Sequence, residues 1–238
     1  MAGDLRIFPI RTIPEVRPGD DLAGLIARAA SGEQEPLETG DVVVVTQKVV
    51  SKAEGRLVPI DADDPLSHKP LVEAESVRVL RRRGDLIISE TRHGFVCANA
   101  GIDLSNVDRG YAALLPEDSD RSARRIRDGL RHRAGVEVAV IVSDTFGRPW
   151  RRGLIDVAIG CAGIRAVVDL RGTEDAKGRT LQVTEVCVAD EVAAAAELVM
   201  GKASGVAAAV VRGVEPAWLG DGSVQREVVR DPAEDLFR

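Results

Sequence analysis

Aromatic side chains are scarce in this chain: four Phe, two Trp and one Tyr make up 3% of 238 residues. A core without large rings has to be built from aliphatic side chains, and a hydrophobic content of 45% supplies enough of them. Cysteine is equally rare. Cys97, Cys161 and Cys187 are odd in number, widely spaced and free of any Cys-x-x-Cys pattern, so reduced thiols in a cytoplasmic protein are expected rather than a disulfide framework. The three histidines, His68, His93 and His132, stand at no metal-ligand spacing, which disfavours a zinc site and a Ser-His-Asp triad. No apolar run approaches the length of a bilayer span, and Met1-Ala2-Gly3-Asp4 leads into mixed residues, so neither a membrane segment nor a secretory signal is expected. A basic excess is missing too: the net charge is −6, and a mildly acidic chain is a poor general nucleic-acid binder.

Two nucleotide-binding signatures are also absent. Gly201-Lys202 is followed by Ala203, and Ala196 stands where a P-loop needs its first glycine. Gly220-Asp221-Gly222 lacks the third glycine of a dinucleotide fingerprint. What remains is a chain long enough to bury roughly 70% of its unfolded surface, organised as one domain over residues 1–238 or as two intimately packed subdomains.

Short β-branched runs predict strands at Val42–Val45, Leu86–Ile88, Phe95–Cys97, Val136–Val142 and Val206–Val211, with weaker ones at Val167–Val168 and Leu181–Val183. Helical spacing predicts helices over Asp21–Ala30, Leu71–Arg82, Ser119–Arg133 and Glu185–Met200. Asp118 or Ser119 is placed to cap the third, while Thr184 and Gly201 bound the fourth. That last helix is apolar nearly all round, which predicts burial or a subunit interface. The fold class expected is α+β with a mixed sheet, neither Rossmann nor P-loop.

Three stretches concentrate chemistry-bearing residues. In Thr46–Arg56, just beyond the valine strand, Lys48 and Lys52 are point charges suited to phosphate oxygens, unless the segment is a solvated basic turn. In Cys97–Asn106, Asp103 and Asn106 follow small residues and suit a loop carrying oxygen ligands to a hard cation. The alternative there is an Asx-turn in which Asp103 caps the backbone of Asn106. In Val140–Gly153, an apolar strand delivers Ser143-Asp144-Thr145 at its end, a recurrent way of holding Mg²⁺ against nucleotide phosphates. Arg148, Arg151 and Arg152 follow, either as an anion grip or as an exposed basic stretch. Two acidic loops with a lysine loop favour a metal–nucleotide site. The arginines at 121, 124, 125, 127, 131 and 133 read as a solvated helix face, and Cys97 as core.

Thr46–Arg56, Ala98–Asn106 and Ser143–Gly153 resemble the signatures of the coenzyme F-420:L-glutamate ligases, the gamma-glutamyl ligases. So do Ile13–Leu22 and the later stretch from Ala189 to Lys202. The resemblance runs in order over most of the chain and implies that family's fold. It implies GTP-dependent addition of L-glutamate to the lactyl-phosphate end of coenzyme F-420-0, giving GDP and phosphate. It assigns Ile13, Pro14, Glu15 and Val16 to the nucleotide, on its guanine side, and Gln47, Lys48 and Lys52 to the phosphates. Asp103 and Asp144 resemble ligands of a divalent ion, Thr145 a ligand of a second, and Asn106 a nucleotide contact. Lys52, Asp103 and Asp144 are the expected catalytic groups. Met200, Gly201, Lys202, Ala203, Ser204, Gly205, Val206 and Ala207 fall where the family closes over GTP. Lys202 departs from that pattern, because an ammonium cannot ligate a metal. Implied besides are Mg²⁺ or Mn²⁺, with K⁺ a further candidate, a homodimer, and a cytoplasmic enzyme without a fused reductase domain, acting on small molecules and not on nucleic acid or membrane. A metal-dependent phosphotransferase or nucleotidyltransferase, and a GTP-sensing domain without turnover, are the competing functions.

Overall fold

A computed structural model describes residues 4–32 and 35–236. Met1–Gly3, read above as part of an opening without a secretory signal, lie outside them. Among the described residues a five-stranded sheet forms the centre. Its strands are β1 (Arg6–Ile10), β2 (Val42–Thr46), β8 (Ala139–Arg148), β9 (Arg151–Ala162) and β12 (Ala208–Arg212), in the order β1-β12-β2-β8-β9. β2 and β8 run parallel, and every other neighbour pair is antiparallel. The sheet is therefore mixed, as expected.

Helices cover both faces, which explains the unbroken valine run. Val42, Val43, Val44 and Val45 are all 0% exposed. Val43 and Val45 face α1 (Leu22–Ser31) and α4 (Ser119–Ala134) through Ile26, Ile126 and Leu130. Val42 and Val44 pack in the opposite layer with α5 (Val188–Met200) through Ala189, Ala193, Ala196 and Met200. A strand buried on both sides has no polar alternation to display. Each such valine contributes roughly 1.5–3 kcal/mol by burial. Close approach of the layers depends on missing Cβ atoms. A Cβ on Gly129 of α4 would lie 2.5 Å from the Ala23 Cβ of α1, and one on Gly160 of β9 would lie 2.2 Å from the Ser119 backbone.

The remaining elements flank this centre: α2 (Gln47–Ala53), the pair β3 (Leu57–Pro59) and β7 (Tyr111–Ala113), and α3 (Lys69–Ala74). A three-stranded sheet joins β4 (Ser76–Arg83), β5 (Leu86–Thr91) and β6 (Val96–Ala98), a two-residue pair joins β10 (Val168–Asp169) and β11 (Glu185–Val186), and α6 (Val224–Glu227) follows β12.

Several boundaries differ from the sequence reading. The helix expected over Leu71–Arg82 stops at Ala74, and the chain from Ser76 pairs instead with β5 across a turn at Gly84, φ +56°. Cross-strand pairing overrode a helical spacing that Val77 and Val79 satisfy only weakly. The strand expected at Val136–Val142 begins at Ala139 and continues to Arg148, so Ser143-Asp144-Thr145 sit within a strand and not at its end. Its partner β9 was not foreseen, because Asp156 and Gly160 interrupt its apolar run. Leu181–Val183 is not a strand; Glu185–Val186 is, which delays α5 to Val188 and makes Cys187 its N-cap in place of Thr184. The apolar α5 buries one face, while Leu198 is 83% exposed.

Candidate active site

The parallel register sets Thr46, the last residue of β2, beside Ser143 of β8. The antiparallel neighbours bring two more segments to the same sheet edge: the Thr46 amide donates to the Ala207 carbonyl just before β12, and Ile10 at the end of β1 pairs with Ala208. Residues 13–16, 46–52, 143–145 and 201–207 therefore converge, although they are scattered over the sequence. Crossing them is the loop carrying Asp103 and Asn106. It leaves β6 through three successive left-handed residues, Asn99, Ala100 and Gly101, with φ of 50°, 53° and 71°. The side chain of Asn99 holds that turn, its Oδ1 accepting from the Ile87 amide and from Lys69 Nζ. A non-glycine residue at such φ costs about 1–2 kcal/mol, so the packing around Ala100 must impose it.

A cavity of about 410 Å³ opens at this edge. Its walls hold six carboxylates (Glu15, Asp103, Asp108, Asp144, Asp156 and Glu197) against three ammonium groups (Lys48, Lys52 and Lys202). The basic stretch after β2 is a helix, not a loop. That helical spacing puts Lys48 and Lys52 one turn apart on one face. Lys48 Nζ lies 2.9 Å from Asp103 Oδ2 and donates to Ser105 Oγ at 2.8 Å, and Lys52, 7% exposed, pairs with Glu15. Gln47, 1% exposed, donates its amide to Ser51 Oγ and to the Leu114 carbonyl, leaving its own Oε1 buried without a partner.

Asp103 makes the Asx-turn considered from sequence, but to the Ser105 amide at 2.7 Å and not to Asn106. Burial raises its carboxyl, yet the hydrogen bonds from Lys48 and the Ser105 amide outweigh that and leave it below the ordinary range. Asn106, φ 51°, reaches across to the Lys202 carbonyl at 3.3 Å. Asp144 behaves in the opposite way. Burial pushes its carboxyl up to about 7, the Thr145 amide and Lys202 pull against that, and Asp103 and Asp156 add to it. Glu197 is raised by burial and then by Asp156. A carboxyl raised by enclosure and by neighbouring like charges is one that a bound cation would lower.

The residues fit a divalent ion. Asp103 and Asp144 both line the cavity, and the Thr145 hydroxyl donates its proton to Asp156, so its oxygen retains lone pairs for a cation. No three His, Cys, Asp or Glu side chains among the described residues form a ready cage. An ion here would complete its shell with water and phosphate oxygens, as Mg²⁺ commonly does.

Most of the expected site residues meet at this cavity, but not all. Ile13, Pro14, Glu15, Val16, Gln47, Lys48, Lys52, Asp103, Asn106, Asp144, Thr145, Gly201, Lys202, Gly205, Val206 and Ala207 line it; Met200, Ala203 and Ser204 do not. Met200 is a core residue at 1% exposure, because it belongs to the last buried turn of α5. Arg148, Arg151 and Arg152 lie at the β8–β9 hairpin turn, away from the cavity wall. The arginines of α4 are a surface face paired with acids, for example Arg125 with Glu54 and Arg133 with Asp21. Cys97 is buried with its thiol pushed up to about 12, which leaves no nucleophile there. Asp156 and Glu197 were missed. Each left a signal: a lone acid in an apolar run, Ile155-Asp156-Val157 and Ala196-Glu197-Leu198.

Comparison with known proteins gives a consistent picture. A profile of the family described as F420-0:Gamma-glutamyl ligase matches residues 10–213. The chain is similar to the coenzyme F420:L-glutamate ligase of Methanopyrus kandleri, with 45% identity over 98% of each chain. It is 44% identical to the protein of that name from Methanothermobacter thermautotrophicus, over 98% of this chain and 99% of the other. Against that from Haloarcula marismortui the identity is 40%, over 98% and 96%.

Proposed function

The chain belongs to the F420-0:gamma-glutamyl ligase family, and from that premise we propose that it joins L-glutamate to the lactyl-phosphate carboxylate of coenzyme F420-0 at the expense of GTP. The observation that carries the nucleotide part of this reading is the charge of the cavity. Six carboxylates face three ammonium groups there, and a triphosphate entering alone would add further negative charge to a deficit of cations. Divalent ions brought with the nucleotide resolve the conflict.

Ile13–Val16 line the end of the cavity assigned to guanine. Lys48 and Lys52, on one face of α2, meet the phosphates as point charges and stabilise charge that develops during transfer. Asp103 and Asp144 would hold Mg²⁺ or Mn²⁺, Thr145 would be a ligand of a second ion, and Asn106 would contact the nucleotide. When bound, the ion neutralises phosphate charge and polarises the γ-phosphoryl group. Gly201, Lys202, Gly205, Val206 and Ala207, which line the cavity, cover the triphosphate. Lys202 answers Asp144 and Glu197 electrostatically and does not act as a ligand.

A carboxylate is a poor acylating agent, so the reaction needs an activated form. An oxygen of the F420-0 carboxylate attacks the γ-phosphorus, the bond to the β-phosphate oxygen breaks, and GDP leaves. The unprotonated amine of glutamate then attacks the carbonyl carbon of the acyl phosphate, phosphate leaves with the bonding pair, and the amine loses its proton. Labelling the F420-0 carboxylate with ¹⁸O tests this sequence. One label is expected in inorganic phosphate for each amide formed; label retained wholly in coenzyme and water would contradict acyl-phosphate formation.

A further inference from the structure

Asp156 is a carboxylate of the cavity wall turned toward hydroxyls. It lies on β9 in register with Thr145 of β8 and is 3% exposed. A bulge sets it within reach of two residues: Val142 pairs with Gly160 but Ser143 with Ala158, so Ile159 is skipped. As a result Asp156 Oδ2 accepts the Ser143 hydroxyl at 3.0 Å, and Oδ1 accepts the Thr145 hydroxyl. A hydroxyl carries one proton and two lone pairs. With both protons committed to Asp156, the oxygens of Ser143 and Thr145 keep only acceptor capacity for anything else that reaches them.

We propose that Asp156 is a positioning residue that fixes Ser143 and Thr145 as acceptors, making this wall of the cavity selective for a divalent cation and closed to phosphate oxygens. The proposal rests on the metal–nucleotide reading above and deepens it. Lys48 and Lys52 on α2 offer only protons, whereas Asp156, Ser143 and Thr145 offer only lone pairs. The cavity is thereby polarised, phosphates toward the lysines of α2 and ion toward β8 and β9, with Asp103, 2.9 Å from Lys48 Nζ, between the two. Asparagine at position 156 would reverse one bond: its amide N–H₂ would donate to one hydroxyl, whose proton would then turn elsewhere.

The test is Mn²⁺ binding, followed by the magnetic resonance signal of free Mn²⁺, to the whole chain saturated with a non-hydrolysable GTP analogue. Asp156→Asn is expected to bind Mn²⁺ about 10–100-fold more weakly than the wild type, the usual cost of losing a group that orients a ligand. Its affinity for the analogue without metal should change far less. A folded Asp156→Asn protein whose Mn²⁺ affinity stays within about twofold of wild type would overturn the proposal. Should that variant not fold, Thr145 decides: Thr145→Val must weaken Mn²⁺ binding while Thr145→Ser retains it, and equal affinities for the two would also overturn it. A wild-type chain that binds the analogue but no Mn²⁺ would remove the metal–nucleotide reading itself, and this inference with it.

Discussion

Asp120 and Asp144 are two enclosed aspartates with opposite fates. Asp120, on the first turn of α4, has four donors: its Oδ1 accepts from the Cys161 and Val224 amides at 2.8 and 3.0 Å, and its Oδ2 from the Ser223 hydroxyl and the Gln225 amide at 2.6 and 3.2 Å. Those bonds tie α4 to β9 and to α6. Asp144 receives the neighbouring Thr145 amide and faces the like charges of Asp103 and Asp156, with Lys202 acting against them. Protein donors complete the first carboxylate, so it is a structural tether. The second has few protein donors, which fits its proposed role of holding a cation. Burial of an acid therefore does not by itself identify a site; the partners it lacks do.

Exchanging each aspartate for asparagine should separate the two roles most sharply. Asp144→Asn is expected to cost about 10²–10³-fold or more in turnover, as other losses of charge stabilisation at a reacting centre do, with no fall in melting temperature. Asp120→Asn should lose about 3–6 kcal/mol, because hydrogen bonds to a charged group contribute roughly 1.5–3 kcal/mol each and two would be inverted. That corresponds to a drop of roughly 6–24 °C for a chain of this size, while the folded fraction keeps its catalytic rate. Thermal melts beside steady-state kinetics would check both, and equal losses of stability would erase the contrast.

The pH response should show the same difference. In the metal-free protein the Asp144 carboxyl is raised from 3.8 to about 7. Between those values the folded chain holds a proton that the unfolded chain has released, so stability falls as pH rises through the window and is greatest below it. Melting temperatures of the metal-free wild type should decline from about pH 4 to about pH 7 relative to Asp144→Asn, and saturating Mn²⁺ with GTP should remove that decline. A parallel profile for the two proteins would show that Asp144 does not titrate late.

Smaller effects test the edges of the site. Lys48→Met should raise the KM for GTP about tenfold, the loss of one charge-assisted contact, with a lesser fall in kcat. Arg151→Ala, at the hairpin turn off the cavity, should leave that KM within about twofold, as surface substitutions usually do. A tenfold rise with Arg151→Ala would bring the hairpin into the nucleotide site.

The five-stranded sheet was legible where burial is continuous, at Val42–Val45, and illegible where a cavity-lining acid interrupts an apolar run, at Asp156 of β9. α4 was legible from its cap and its spacing; Asp118 does accept from the Arg121 amide. The helix across Leu71–Arg82 failed because pairing partners distant in sequence decide strands, and periodicity sees only neighbours. Asp103, Asp144, Lys48 and Lys52 were readable as residue types suited to phosphate and metal. That they belong to one site was also expected, from the three stretches taken together; the geometry that brings them there, the parallel register of Thr46 with Ser143, was not legible. The cap of Asp103 on Ser105 and the bond between Thr145 and Asp156 exist only in three dimensions.

The most direct test of the central claim is mass spectrometry of F420-0 incubated with the purified protein, L-glutamate, GTP and Mn²⁺, with nucleotide products quantified in the same samples. Gain of one or more glutamyl units by the coenzyme, matched one for one by GDP and lost when GTP or the metal is withheld, is the expected result. GDP formed without any glutamylated coenzyme, or glutamylation proceeding without GTP, would contradict it.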